Sequence, residues 1–329
     1  MIGPDAIGGY FGFHAPSASQ PKPYPAEFST FRGALLGLLE NVLAKDGQNT
    51  IWFPAFVCPA VKEVFRLLGD RVKLKEYNIG PDLTPFNLFA ERGDLVYRYN
   101  VFGLDGAETR SGDIVDNAHA LFAEPLPDRH TIYSLRKFLA VPDGARLVSP
   151  VQVSVGPPLV LNESALYLLL RLDQGPERGF SAFQEWERKI FSGSVQAISH
   201  FSTVLLGTFD YDLIKRRRRE NFQRLHDNFR GFNTLGPQID VALCRPDFVP
   251  FCYPLLLKNG KFVRESFLKF RVYTPTLWSG IVDQAEVSDF ERDLVVNTVH
   301  LPIDQRYSIS DMDSIVEILH QIRGRSLCQ

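Results

Sequence analysis

The chain has 329 residues, 45% of them hydrophobic and 22% charged, a balance that fits a folded protein of roughly two domains and excludes wholesale disorder. Its 36 basic and 38 acidic side chains leave a net charge of −2, too small a field to coat a nucleic acid or an anionic membrane. No apolar run reaches the eighteen or so residues of a membrane span, because Pro157, Pro158 and Arg171 break the longest candidates.

Phe31–Leu43 carries Leu35, Leu36, Leu38, Leu39, Val42 and Leu43, apolar around most of a helix, which predicts a buried helix. Thr50–Phe53 reads as a short strand. Pro59–Leu68 has Val61, Val64, Phe65 and Leu68 at helical spacing, and Gly69 closes it. Strand alternation resumes over Arg71–Tyr77, and Asp94–Tyr99, Asp113–Asp116 and Thr131–Ser134 read as further strands. Strands alternating with helices predict an α/β fold with a mostly parallel sheet and helices on both faces.

From Glu163 to about Asn228 the pattern predicts helices, the last of them Asp212–Asn228, with Lys215–Arg219 as a solvated helix face rather than a nucleic-acid patch. Gly231–Gly236 is the expected boundary between a large domain, 1–232, and a small α+β domain, 233–329. In the latter, Cys252–Leu257, Phe270–Val272 and Val295–Leu301 read as strands and Asp311–Ile322 as a closing helix. Cys58, Cys244, Cys252 and Cys328 form no C-x-x-C pair and have no His at ligand spacing, so reduced thiols and no metal site are expected. The N-terminus shows no basic-then-apolar leader, so a cytoplasmic location is expected.

Most motifs that carry chemistry are missing. Gly8–Gly12 lacks the dinucleotide spacing and a preceding strand, and there is no phosphate-binding Walker loop, no G-x-S-x-G elbow and no H-E-x-x-H pair. What remains is Asp116 at a strand end, followed by Asn117, Ala118 and His119, and then Lys137 after the strand Thr131–Ser134. Each alone has an ordinary explanation: a turn cap, a structural histidine, a solvated charge. Spacing alone therefore stops at an α/β protein of unassigned activity.

A series of segments in order goes further. These are Phe31-Arg32-Gly33-Ala34-Leu35, Phe53-Pro54-Ala55-Phe56-Val57-Cys58-Pro59, Asn100-Val101-Phe102-Gly103 and Ile114-Val115-Asp116-Asn117-Ala118-His119-Ala120. They continue with Tyr133–Lys137 followed by Asp143-Gly144-Ala145, Arg218-Arg219-Glu220-Asn221-Phe222, and His300–Asp304. Together they resemble the DegT/DnrJ/StrS family of pyridoxal-phosphate sugar aminotransferases, collinearly over nearly the whole chain.

The resemblance implies the type I (aspartate aminotransferase) fold, a three-layer large domain with a smaller C-terminal α+β domain, and pyridoxal 5'-phosphate as cofactor. It makes Lys137 the Schiff-base lysine and Asp116 the partner of the pyridine nitrogen, with His119 beside the ring. Phe31, Arg32, Gly33, Cys58 and Ser134 would complete the cofactor site, and Tyr10, Phe102 and Trp278 would line the substrate pocket. The implied reaction moves an amino group, with glutamate as donor, to a nucleotide-linked keto-sugar in a homodimer. Other chemistry on the same cofactor, such as sugar dehydration or an amino-acid substrate, and a non-catalytic binding subunit are the alternatives. The chain departs from the family at Arg32, where Thr is usual, at Cys58, where many members place an aromatic ring, and at Ile198-Ser199-His200, where a cross-subunit asparagine is expected.

Overall fold

Caps and strand alternation decide where the elements begin, and the computed structural model describes residues 27–43, 49–104, 109–160 and 164–326. Tyr10, the Gly8–Gly12 segment and Cys328 lie outside them. β1 (Glu27–Phe28) runs to Thr30, whose hydroxyl accepts from the Gly33 N–H and caps α1 (Phe31–Val42). β2 (Asn49–Pro54) is followed by α2 (Pro59–Leu67), which starts at a proline whose missing N–H costs nothing there. β3 (Val72–Ile79), β4 (Pro85–Phe86), β5 (Leu95–Tyr99), β6 (Ile114–Asp116), β7 (His130–Ser134), β8 (Ala145–Val148) and β9 (Gly156–Pro158) follow. A helical hairpin, α3 (Leu166–Gln174) and α4 (Pro176–Lys189), leads to β10 (Gln196–Ala197), α5 (His200–Leu206) and the long α6 (Tyr211–Phe229).

These strands form one ten-stranded sheet in the order β4-β3-β2-β5-β6-β7-β8-β1-β10-β9. β3, β2, β5, β6 and β7 are parallel. β8 is antiparallel to both β7 and β1, so β1 runs with the parallel set. That direction matters, because the residues following β1, β2, β5, β6 and β7 all emerge at one edge of the sheet. The buried face of α1, Ala34, Leu35, Leu38 and Leu39, packs on β7 and β8.

The rest of the chain comprises α7 (Gly236–Leu243), β11 (Tyr253–Leu256), α8 (Gly260–Lys269), α9 (Asp289–Asn297), β12 (Thr298–Leu301) and α10 (Ile309–Ser326). β11 and β12 pair antiparallel, and α6, α8, α9 and α10 surround them. Their core is continuous with that of the large sheet. Two expected strands differ. Phe270–Val272 is the turn that ends α8, with Arg271 left-handed (φ 58°) and the Val272 N–H returned to the Phe267 carbonyl. Val295–Leu301 is strand only from Thr298, because its first residues complete α9.

The basic run on α6 also differs from a solvated face. Arg218 is 2% exposed: its guanidinium donates to the carbonyls of Pro250, Phe251 and Phe138 and to Gln305 Oε1, and lies over the Phe138 ring. Arg219 donates to the carbonyls of Arg245, Pro246 and Phe248. Helical periodicity turns every third or fourth residue inward, and here the inward residue is an arginine that meets carbonyls instead of water.

Glu291, fully buried on α9, joins the C-terminal layer to β3. It accepts from the Ile79 N–H and the Asn78 side chain, and closes a capping box with Ser288. Glu291→Ala leaves those donors buried and unpaired, so it should lower unfolding free energy by about 3 kcal/mol. Urea unfolding of the variant beside the native chain measures this; a midpoint unchanged from native would contradict the assignment.

Candidate functional site

Five segments converge at the common edge of the parallel strands. They are Cys58 beyond β2, Phe102 beyond β5, His119 beyond β6, the 3-10 turn Leu135–Lys137 beyond β7, and the start of α1 beyond β1. From the C-terminal layer, Phe251, Trp278, Cys252 and His300 come down upon them. The candidate residues Asp116, His119, Lys137, Cys58, Phe102 and Trp278 are thus brought together, with Phe31, Arg32, Gly33 and Ser134 bordering them.

Asp116 ends β6 and is 4% exposed. Its Oδ1 accepts from the Ala118 N–H at 2.8 Å and its Oδ2 from the Tyr97 hydroxyl at 2.5 Å. Burial raises its pKa to about 6, against the opposing pull of the Tyr97 and Ala118 hydrogen bonds and of the Lys137 charge. No ion pair to this carboxylate forms among the described residues.

His119 lies in the turn beyond Asp116, 1% exposed, with Nδ1 2.6 Å from the Tyr99 hydroxyl. Its ring stacks on Phe251 (centroids 4.4 Å apart, 12° between planes) and lies near-parallel to Trp278 at 6.3 Å. Burial first, then the Lys137 and His300 charges, hold its pKa well below the usual range, so the imidazole is neutral. Trp278 also meets Phe56 at 4.7 Å and Tyr99 at 5.0 Å, and its own backbone is left-handed (φ 61°). Phe102 is left-handed too (φ 54°), and Gly103 after it passes so close to His119 that a Cβ there would sit 2.8 Å from the His119 carbonyl oxygen. Such strain in non-glycine residues persists only where surrounding packing enforces it.

Lys137 ends the 3-10 turn exposed, with Nζ 5.3 Å from the centre of the Phe251 ring. Cys58, half-buried, precedes α2; burial raises its thiol pKa and the Lys137 charge partly offsets this. At α1 the Gly33 N–H is taken by Thr30, whereas the N–H groups of Phe31 and Arg32 have no acceptor among the described residues. The Arg32 side chain is engaged with Glu63 at 2.7 Å and lies over Phe191. Ser134 is buried as the last residue of β7, just before the 3-10 turn. Asp143, also fully buried, accepts from Ser199 and Ser202 and so ties the start of α5 to the loop beyond Lys137.

Sequence reading missed Tyr97, Tyr99, Phe251 and His300. The first two were signalled by the alternation within β5, which puts residues 97 and 99 on one face, beside Asp116 in register. Nothing local marks Phe251 or His300.

This donor set fits pyridoxal phosphate. A buried carboxylate without a counter-ion suits a protonated ring nitrogen, an exposed amine suits the aldehyde, a neutral stacked imidazole suits the ring face, and free N–H groups at a helix start suit the phosphate.

No family model matches the sequence, and no curated protein matches it. Solved structures do. PseC of Helicobacter pylori, an aminotransferase involved in the biosynthesis of pseudoaminic acid, is 17% identical with a TM-score of 0.59, over 90% of this chain and 85% of its own. A DegT DnrJ EryC1 StrS aminotransferase from Brucella abortus is 13% identical with a TM-score of 0.56, over 91% and 86%. ColD, a GDP-4-keto-6-deoxymannose-3-dehydratase seen with GDP-perosamine, is 12% identical with a TM-score of 0.56, over 89% and 87%. At these identities the likeness establishes the fold: a large, mostly parallel sheet with helices and a small antiparallel C-terminal sheet, as these proteins have.

A carboxyl whose folded pKa lies above its unfolded value of about 3.9 stabilises the fold fully only below that value, and the contribution is lost as pH rises through about 6. The ionised Asp116 therefore costs stability at neutral pH. Asp116→Asn should be more resistant to urea than the native protein at pH 8, by about 1–3 kcal/mol, with the gap closing toward pH 4. Equal midpoints at both pH values would show that Asp116 is not buried as a strained anion.

Proposed function

We propose that the chain is a pyridoxal-phosphate-dependent aminotransferase acting on a keto-sugar, with a nucleotide-linked sugar as the substrate class and glutamate as donor. The observation that carries this reading is Asp116, a buried carboxylate without a counter-ion, gathered with Lys137 and a neutral stacked His119 at the end of a parallel sheet. When bound, the cofactor supplies an aldehyde that captures amines and a ring that withdraws electrons from the carbon losing its proton. Lys137 is the residue to hold the aldehyde through Nζ and then to carry a proton between substrate carbons and its own amine. Asp116 holds positive charge at the ring nitrogen. His119, stacked on Phe251 and neutral, would border the ring, and the Phe31 and Arg32 N–H groups would hold the phosphate.

The nucleotide-linked substrate rests on the likeness to ColD, seen with GDP-perosamine, and on the half-buried Trp278 ring beside the site; Phe102, expected to line the pocket, is 1% exposed and packs in the core instead. Dehydration of the same substrate class is the second reading, favoured by that same likeness. A cytoplasmic homodimer is part of the proposal, and no helix among the described residues is long and apolar enough to cross a membrane.

Borohydride reduction of the protein with pyridoxal phosphate, followed by peptide mapping, should place the adduct on Lys137; an adduct on another lysine overturns the assignment. Adding glutamate to the coloured protein should bleach the cofactor's visible band. In Asp116→Asn the band should form but bleach at least a hundredfold more slowly, as when a positioned charge is lost. Native-like bleaching by this variant would remove Asp116 from the mechanism. Sedimentation should give a dimer; a monomer that retains the cofactor speaks against the assembly.

A further inference from the structure

Alternation along β5 sends Tyr97 and Tyr99 to the same face of the sheet. The register pairs Tyr99 with Asp116 and Tyr97 with Ile114, so Tyr97 lies one step deeper than Asp116 and approaches it from the core. Tyr97 is fully buried and held on three sides. Its ring meets Phe65 edge-on at 5.5 Å, its carbonyl accepts from the Tyr77 hydroxyl, and its own hydroxyl donates to Asp116 Oδ2. The other carboxylate oxygen takes the Ala118 N–H, a donor only two residues away in the chain. Tyr97 is the one side-chain donor to Asp116 among the described residues.

We infer that Tyr97 is the positioning residue of Asp116: from the core side its hydroxyl fixes the carboxylate's orientation and keeps it anionic, leaving the opposite side of the group for a cationic ring nitrogen. This rests on the proposed role of Asp116 in cofactor binding, and it adds a residue that the sequence resemblance does not supply.

The charge balance around Asp116 shows why the hydroxyl matters. Titratable groups facing it are Tyr97 and Tyr99 from β5, Cys58 from the loop before α2, and Lys137 from the turn beyond β7. Burial pushes both phenols well above their ordinary range and raises the thiol, so all three stay neutral and only Lys137 is cationic. Lys137 is exposed and is the residue proposed to join the aldehyde, after which its charge is no longer fixed. Tyr97 is the permanent side-chain donor. Without it, only the Ala118 N–H and the Lys137 charge oppose burial, the carboxyl takes up a proton nearer neutral pH, and a neutral acid cannot hold a ring nitrogen's charge.

The test uses the cofactor-free chain with carboxyl-13C aspartate, the Asp116 resonance being assigned by its loss in Asp116→Asn. In Tyr97→Phe the titration midpoint should rise by about one pH unit, the usual effect of removing one charge-assisted hydrogen bond. The ring's packing on Phe65 is retained, and near-UV circular dichroism checks it. Tyr99→Phe, whose hydroxyl meets His119 instead, should move the midpoint much less. Should Tyr97→Phe fold poorly, 3-fluorotyrosine placed at position 97 is the second variant; as a stronger donor it should lower the midpoint. A midpoint that stays within a few tenths of native in a folded variant, or that moves equally in Tyr99→Phe, overturns the inference. Pyridoxal phosphate added to native protein judges the other reading separately: absence of a visible band counts against the proposed function, while the titration decides the role of Tyr97.

Discussion

Burying the Asp116 carboxylate sets the requirements that the surrounding structure must meet. An ionised group taken out of water is costly unless donors and charges replace the solvent it lost. Here the replacements come from three different places in the chain: a tyrosine on the neighbouring strand, a backbone N–H in the turn just beyond, and a lysine beyond the next strand. The backbone donor is local, but neither the tyrosine nor the lysine could reach the acid unless β5, β6 and β7 ran parallel and in this register. The sheet topology and the chemistry of the site are therefore one constraint.

The aromatic cluster above the acid serves the same end by another route. Phe56, Tyr99, Trp278, Phe251 and the His119 ring exclude water and hold the imidazole neutral. Two of the backbones that shape this cluster, at Phe102 and Trp278, are left-handed in residues that ordinarily avoid it. Sites that must hold a ring flat against a histidine need close packing more than relaxed backbones, and the strain is carried by the packing on both sides of it.

Legibility in the sequence followed the range of the signal. β2, β3, β5, β6 and β7 could be read because period-2 alternation is local, and α1, α2 and α6 because an apolar or amphipathic stripe is local too. β1 and β10 are two residues each, too short to carry any period, although they extend the sheet beyond β8. Phe270–Val272 has strand-forming residues, yet the closing turn of α8 overrides that preference. Asp116, His119 and Lys137 were visible as residues, but their significance needed the resemblance in segment order. Tyr97 acts 19 residues away from Asp116, and Phe251 touches a histidine from the other layer of the molecule. Contacts of that kind are set by three-dimensional register, which no window of the sequence contains.

The Arg218 guanidinium binds three otherwise separate stretches of chain: the Phe138 carbonyl next to Lys137, the Pro250–Phe251 pair, and Gln305. Burial brings its pKa down to about 10, still far enough above neutrality for it to remain a cation. A change at this position would strand several buried acceptors at once, and no single second substitution could repair them all. Arg218 is thus expected to drift little over evolutionary time, although it stands outside the group of residues proposed to meet the cofactor. Among distant descendants of this chain, an arginine at the corresponding helix position would identify the shared architecture even after the residues lining the pocket had been rewritten for a different substrate.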